Sequence, residues 1–315
     1  MTALPHGASP GMGHVVEGRA PSARDPWTDA MRRGDFPTAW AIAAEAMGRR
    51  DPATRDNPQL PYHLRWVWDG RPFAGREVLV RCYHGLGDTL MFSRFLPLLA
   101  RHAARVTVEM QPHLLPLFRG FPGIDRLVPF DVARPLPPQD CDIEIMELSL
   151  ALRASPGGAP MPALDILPAP LPPSTVALCW GAGDWDAGRS VPEAMMQSFC
   201  HGPALSLMPG PTALPVLNPE GCPLNMVRTA ELVAGSALVV TVDTMIAHLA
   251  GILGRPVWLL AKHDPDWRWP VESTGTPWYP TVCVWRQPAP GDWASVIGQA
   301  AAALDRQPRF QPAEG

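Results

Sequence analysis

The chain has 315 residues, enough for one large core or two of ordinary size. Its 26 basic and 30 acidic residues give a formal net charge of −4, which excludes the broad cationic surface that nucleic acid or anionic lipid would require. No run approaches the ~20 apolar residues of a membrane span, and no basic segment followed by an apolar run opens the chain, so a cytoplasmic location is expected.

Residues 1–24 are rich in Gly, Pro, Ser and Ala without an apolar period and read as a disordered tail, and residues 306–315 as a C-terminal tail. From 25 to 60 the pattern changes. Trp27, Met31, Phe36, Trp40, Ala43 and Met47 predict a short helical hairpin turning at Gly34-Asp35. G-D-F-x-x-A-W resembles one tetratricopeptide-type hairpin, although a single copy cannot build a superhelix. It reads equally as a packing element or as a docking module.

Residues 61–154 are expected to form a Rossmann-like domain. Glu77 to Cys82 is a strand, Tyr83-His84-Gly85-Leu86-Gly87-Asp88 a tight loop, and a helix should run from Thr89 to about Ala100. Further strands are read at 105–110, 126–130 and 141–145, with a short helix at 113–119. Alternating strands and helices imply a parallel sheet. G-L-G-D is not a dinucleotide fingerprint, because Leu90 stands where G-x-G-x-x-G needs Gly or Ala, and no G-K-[ST] follows. Residues 155–174 are dominated by Pro and read as an interdomain connection.

A second Rossmann-like domain is expected over 175–305. It opens with a strand at 175–180 and a Gly-rich loop, 181–190, carrying Arg189 and Ser190. A helix at 193–200, a strand at 204–208 and a helix at 225–234 follow. Then comes a β-α-β unit: an apolar run from Ala237 to Val242, the polar pair Asp243-Thr244, a helix with Ile246, Leu249, Ala250 and Leu253 on one face, a stop at Gly254, and a buried strand from Pro256 to Leu260. A loop at 263–269, a strand at 281–285 and a helix at 292–304 complete the domain.

Ligands of such sheets sit beyond the carboxyl ends of the strands, where helix N-termini favour anions. The N–H groups of Thr244, Met245 and Ile246 are therefore expected to be free donors for a diphosphate, unless Asp243 is only an N-cap with Thr244 beside it. Arg189 is a bidentate candidate for the same anion, or an exposed partner of Asp184 or Asp186. His248, one helical turn beyond Thr244, reads as a ligand or as a hydrogen-bonded packing residue. Trp180, and Asp266 with Trp267, are placed to meet a base or sugar, or to fill space. Asp184-x-Asp186 and Asp264-x-Asp266 match D-x-D, a pattern too short to establish a metal, and no metal is expected. The six cysteines, without a C-x-x-C pair, read as small buried hydrophobes. Forty prolines and a single Lys, Lys262, among 26 basic residues point to genomic composition as much as to structure.

D-T-x-x-A-H-L-A-G-x-L-G-x-P-V together with G-L-G-D resembles the heptosyltransferase-like glycosyltransferases, glycosyltransferase family 9, including those fused to tetratricopeptide repeats. The resemblance spans about 78–304. It implies a GT-B architecture of two Rossmann-like domains facing a cleft, and sugar transfer from a nucleotide-diphosphate sugar to a hydroxyl on a glycan, a lipid-linked sugar such as lipopolysaccharide, or a protein. By spacing Asp88 reads as an N-cap or a base, with Gly85 and Gly87 shaping the loop. The resemblance implies that Asp88 is the general base, and His84, whose ordinary pKa suits the task, is its rival or a packing residue of the loop. Thr244, with the start of its helix, and Arg189 hold the diphosphate, Asp243 holds sugar hydroxyls, and no cofactor is needed beyond the donor itself. The ribose carboxylate has no clear counterpart, with only Glu220 near. The alternative is a non-catalytic protein that keeps the two-domain shell and docks a partner through its hairpin.

Overall fold

The computed structural model describes residues 25–307, so the two predicted tails lie outside it apart from 306 and 307. The described chain divides into two compact units at 162/163, within the Pro-rich stretch.

In the first unit, α1 (Pro26–Arg32) is capped by Asp25, whose carboxylate accepts from the Thr28 N–H, and α2 (Phe36–Gly48) is capped in the same way by Asp35. Gly34 sits at φ +70°, the left-handed conformation that the turn requires. The hairpin buries Trp27, Ala30, Met31, Phe36, Ala39 and Ala43. Next come β1 (Glu77–Cys82), α3 (Leu86–Phe92), α4 (Leu96–Leu99), β2 (Arg105–Met110), β3 (Arg126–Pro129), β4 (Cys141–Glu144) and α5 (Leu148–Leu152). The sheet is wholly parallel, in the order β3-β2-β1-β4.

The single helix expected over 89–100 is broken. It starts earlier, at Leu86, and passes through a 3-10 turn, Ser93–Phe95, before restarting as α4. The Ser93 hydroxyl donates to the Leu90 carbonyl at 2.8 Å, and Pro97, without an N–H, fits only the first turn of a new helix. The helix expected at 113–119 is a 3-10 turn, Leu115–Phe118.

The second unit contains β5 (Val176–Cys179), β6 (Ala204–Ser206), α6 (Met226–Gly235), β7 (Leu238–Val242), α7 (Met245–Ile252), β8 (Val257–Ala261), β9 (Val282–Arg286) and α8 (Trp293–Asp305). Its sheet is also parallel, in the order β6-β5-β7-β8-β9. One face packs Leu178, Val240 and Leu260 against Trp293, Ile297 and Leu304 of α8. The helix expected at 193–200 is 3-10. Beyond β6, residues 209–223, also rich in Pro, are organised by Asn218. Its amide accepts from the Ser206 N–H and donates to the Ser206 carbonyl, both at 2.8 Å, covering the edge of the sheet as a neighbouring strand would. Cys82, Cys141, Cys179 and Cys222 are buried, Cys200 and Cys283 half-buried, and all six are free thiols, in keeping with small hydrophobes.

Candidate functional site

In the first unit the loop after β1 is shorter than expected, because Gly87 and Asp88 already belong to the first turn of α3. The Asp88 carboxylate accepts from the Gly85 N–H at 3.0 Å and is 6% exposed. Gly85 has φ −68°, so its role is not a left-handed turn. A Cβ there would stand 3.1 Å from Asp88 Oδ2, and its absence lets the carboxylate close on the backbone. Gly87 is likewise outside the positive-φ glycines.

His84 is held from two sides. Its Nε2 is 3.7 Å from Glu144 Oε2 at the end of β4, and its carbonyl accepts from Gln111 Nε2 at 2.8 Å. Gln111 in turn accepts from the Thr89 hydroxyl at 3.0 Å. Glu144 is 4% exposed, and its carboxyl is pushed well up, first by burial and then by the charges of Glu147 and Asp88, with Arg81 opposing. Burial also raises Glu147, against the pull of Arg50, whose guanidinium lies 3.1 Å away. Arg81 forms a fork on Asp56, both contacts at 3.1 Å, and also meets Asp142. Glu144, Glu147 and Arg81 did not emerge as site residues from the sequence. The signal was present in C-D-I-E-I-M-E, where carboxylates interrupt an apolar run that has to be buried.

In the second unit, Trp180 is part of the core, 7% exposed, and its carbonyl accepts from the Val191 N–H at 2.9 Å. Ser190 Oγ accepts from the Ala182 N–H at 3.0 Å and ties the loop to itself. The loop contains 3-10 turns from Asp184 to Arg189. Arg189 does not extend into solvent. It is 8% exposed, and its Nη1 donates to the Asp243 carbonyl at 2.7 Å and lies 4.0 Å from the Asp243 carboxylate. Asp186 is instead paired with Lys262 at 2.5 Å, while the side chain of Asp184 lies outside the described residues.

Thr244, rather than Asp243, is the N-cap of α7. Its hydroxyl accepts from the Ile246 N–H at 3.2 Å, so that donor is already used, contrary to the expectation of three free N–H groups. His248 is 4% exposed, 3.1 Å through Nδ1 from the Tyr279 hydroxyl and stacked 5.5 Å from Trp269. Gly251, one turn on, faces the same tyrosine, and a Cβ there would come within 2.6 Å of its ring. The histidine and glycine of H-L-A-G thus share one packing partner. Asp266 accepts from the Arg268 N–H at 3.1 Å and from its guanidinium at 2.6 Å, while that guanidinium lies 4.1 Å over the Trp267 ring. Trp267 is 7% exposed and meets Trp278 edge-on. Glu220 is exposed.

Asp243 is therefore the focus of this end of the sheet. Its carboxyl is raised to about 6, first by burial and next by the charge of Asp266, with Arg268 and Arg189 pulling it down. The unfolded carboxyl gives up its proton near pH 4, the folded one only near 6, so stability falls as pH rises through that window. Asp243→Asn should remove this fall and be more stable at pH 7 by up to about 3 kcal/mol. Urea unfolding of both proteins from pH 4 to 7 checks it, and parallel curves would rule out Asp243 as the source.

No family model matches the chain. Protein FlbA of Caulobacter vibrioides is 24% identical over an alignment 305 positions long that covers 81% of this chain and 50% of FlbA, so the chain spans about half the length of that curated relative. Two solved structures share the fold at a TM-score of 0.51. A glycosyl transferase family 9 protein from Veillonella parvula is 12% identical, with 68% of this chain and 87% of that one covered. TibC of enterotoxigenic E. coli, described as a bacterial iron-containing dodecameric glycosyltransferase, is 14% identical, with 72% and 67% covered. The two parallel sheets are thus those of GT-B-like glycosyltransferase structures.

Proposed function

We propose that this chain transfers a sugar from a nucleotide-diphosphate donor to a hydroxyl of a glycan, a lipid-linked sugar or a protein, without a divalent cation. The observation that carries the reading is the gathering of Arg189, Arg268 and the start of α7 around Asp243, at the carboxyl ends of β5, β7 and β8. Parallel sheets present anion sites at such ends. The shared glycosyltransferase fold supports the reading without carrying it, since one fold hosts many activities.

In this mechanism Arg189 and the N–H groups of Thr244 and Met245 at the start of α7 take the charge that develops on the leaving diphosphate, and the Asp243 carboxylate orients the sugar hydroxyls. Asp88 accepts the proton of the acceptor hydroxyl as the new C–O bond forms. Charge neutralisation by guanidinium groups takes the place of a metal, and the candidate D-x-D carboxylates Asp186 and Asp266 are already held by Lys262 and Arg268. Hairpin docking of a partner is less favoured, because Trp40 donates to Ser149 at 3.2 Å and Arg50 reaches Glu147 within the same unit.

A thermal-shift screen of ADP-, GDP-, UDP- and CMP-sugars tests the reading, since a ligand at 100 times its Kd adds ~2.7 kcal/mol of stability. One nucleotide class should raise the melting temperature equally with and without excess EDTA. A shift lost in EDTA and restored by magnesium or manganese would overturn the metal-free mechanism. No shift with any donor would favour a non-catalytic protein.

A further inference from the structure

Among the charged groups of the first unit, Glu144 stands out. Both of its oxygens are buried without a close hydrogen bond, and the nearby backbone N–H of Tyr83 only partly offsets that burial. A buried carboxylate left in that state is costly unless a cation or a proton compensates it. Arg81, its register partner on β1, spends its guanidinium on Asp56 and Asp142. Arg50 is engaged by Glu147. His84, with Nε2 3.7 Å from Oε2, is the group placed to answer Glu144 directly.

The position of His84 gives that pairing a consequence. The next residue, Gly85, supplies the N–H that holds the Asp88 carboxylate, and the His84 carbonyl is fixed by Gln111 at the end of β2. The histidine is therefore clamped between β4 and β2 at the point where the turn carrying Asp88 begins. Asp88 and Glu144 also sense each other's charge. Two ionised carboxylates in one buried pocket oppose each other, and one of them must be neutralised or paired.

We propose that Glu144 is a positioning residue that holds His84 as a buried imidazolium beside the Gly85–Asp88 turn, leaving Asp88 as the ionised carboxylate that accepts a proton. The proposal rests on the glycosyl-transfer reading for the role of Asp88, but the His84–Glu144 pair itself does not. During transfer the acceptor O–H bond breaks and its proton goes to Asp88. The C–O bond to the sugar forms while the sugar–phosphate bond breaks, and that electron pair leaves with the diphosphate. His84 keeps its proton throughout. The other charged or titratable groups facing the pair are Arg81, Cys82 and Tyr83 from β1 and its extension, Asp88 from α3, Glu147 with Arg50 behind it, and His63, whose ring lies 6.2 Å from that of His84.

The test needs no substrate. In the full chain with histidine labelled by 13C and 15N, the His84 resonances, assigned by their loss in His84→Gln, should show both ring nitrogens protonated at about pH 7. In Glu144→Gln they should show a neutral ring at that pH. Glu144→Asp, which keeps the charge on a shorter side chain, should retain the imidazolium and serves if the Gln variant does not fold. A neutral His84 in the wild type, or an imidazolium that survives Glu144→Gln, would overturn the proposal. Either result would leave donor binding untouched, so it is separable from failure of the glycosyl-transfer reading, which the nucleotide-sugar screen registers.

Discussion

Replacing Asp88 by Asn is expected to lower turnover by about 10²–10⁴-fold, with donor affinity nearly unchanged. An acceptor hydroxyl is too weak a nucleophile to attack an anomeric carbon without losing its proton, and a positioned carboxylate contributes about that factor. The bond that Asp88 accepts from Gly85 at 3.0 Å can be kept by the amide oxygen of Asn, so the start of α3 stays capped. Removing one charge from a pocket that also holds Glu144 relieves repulsion, so the melting temperature should hold or rise slightly. Steady-state kinetics with the donor found by screening, beside a melting curve, decides the matter. Normal turnover in Asp88→Asn with a dead His84→Ala would move the base to His84. A variant that only melts earlier would reduce Asp88 to a cap.

The double substitution Arg189→Ala with Thr244→Ala should weaken donor binding by about 10²-fold, since a hydrogen bond to a charged group is worth about 1.5–3 kcal/mol. It will also cost stability. Arg189 holds the Asp243 carbonyl at 2.7 Å, and Thr244 caps α7, so the pair together should cost about 2 kcal/mol. Arg189→Lys with Thr244→Ser separates the two effects. It keeps a cation and a capping hydroxyl, and should recover most of the stability but only part of the affinity, because an ammonium cannot match the guanidinium fork. Titration calorimetry with the donor measures the affinities. Wild-type binding by the double Ala variant would show that the diphosphate lies elsewhere.

Much of this protein is local and was therefore readable from the sequence alone. The period of apolar residues and the breakers between them located the parallel strands and most of the helices. The polar pair after β7 marked a helix start at the carboxyl edge of a sheet, because a strand buried on both faces and a capped helix each leave their own pattern within a few residues. The errors at this level have local causes as well. Thr244 displaced Asp243 as the cap, and Pro97 with Ser93 divided one expected helix in two. Partnership was a matter for the tertiary structure. Arg189 meets Asp243 across 54 positions, Lys262 meets Asp186 across 76, and His248 finds Tyr279 across 31. In the first unit, His84 and Glu144 approach because β4 pairs directly with β1. Strand order sets these distances, and nothing in the spacing of residues along a chain encodes which strand ends become neighbours. A buried charge shows in a sequence as an interruption of an apolar run, but only packing decides whether it is answered by a guanidinium, as Glu147 is by Arg50, or by an imidazole.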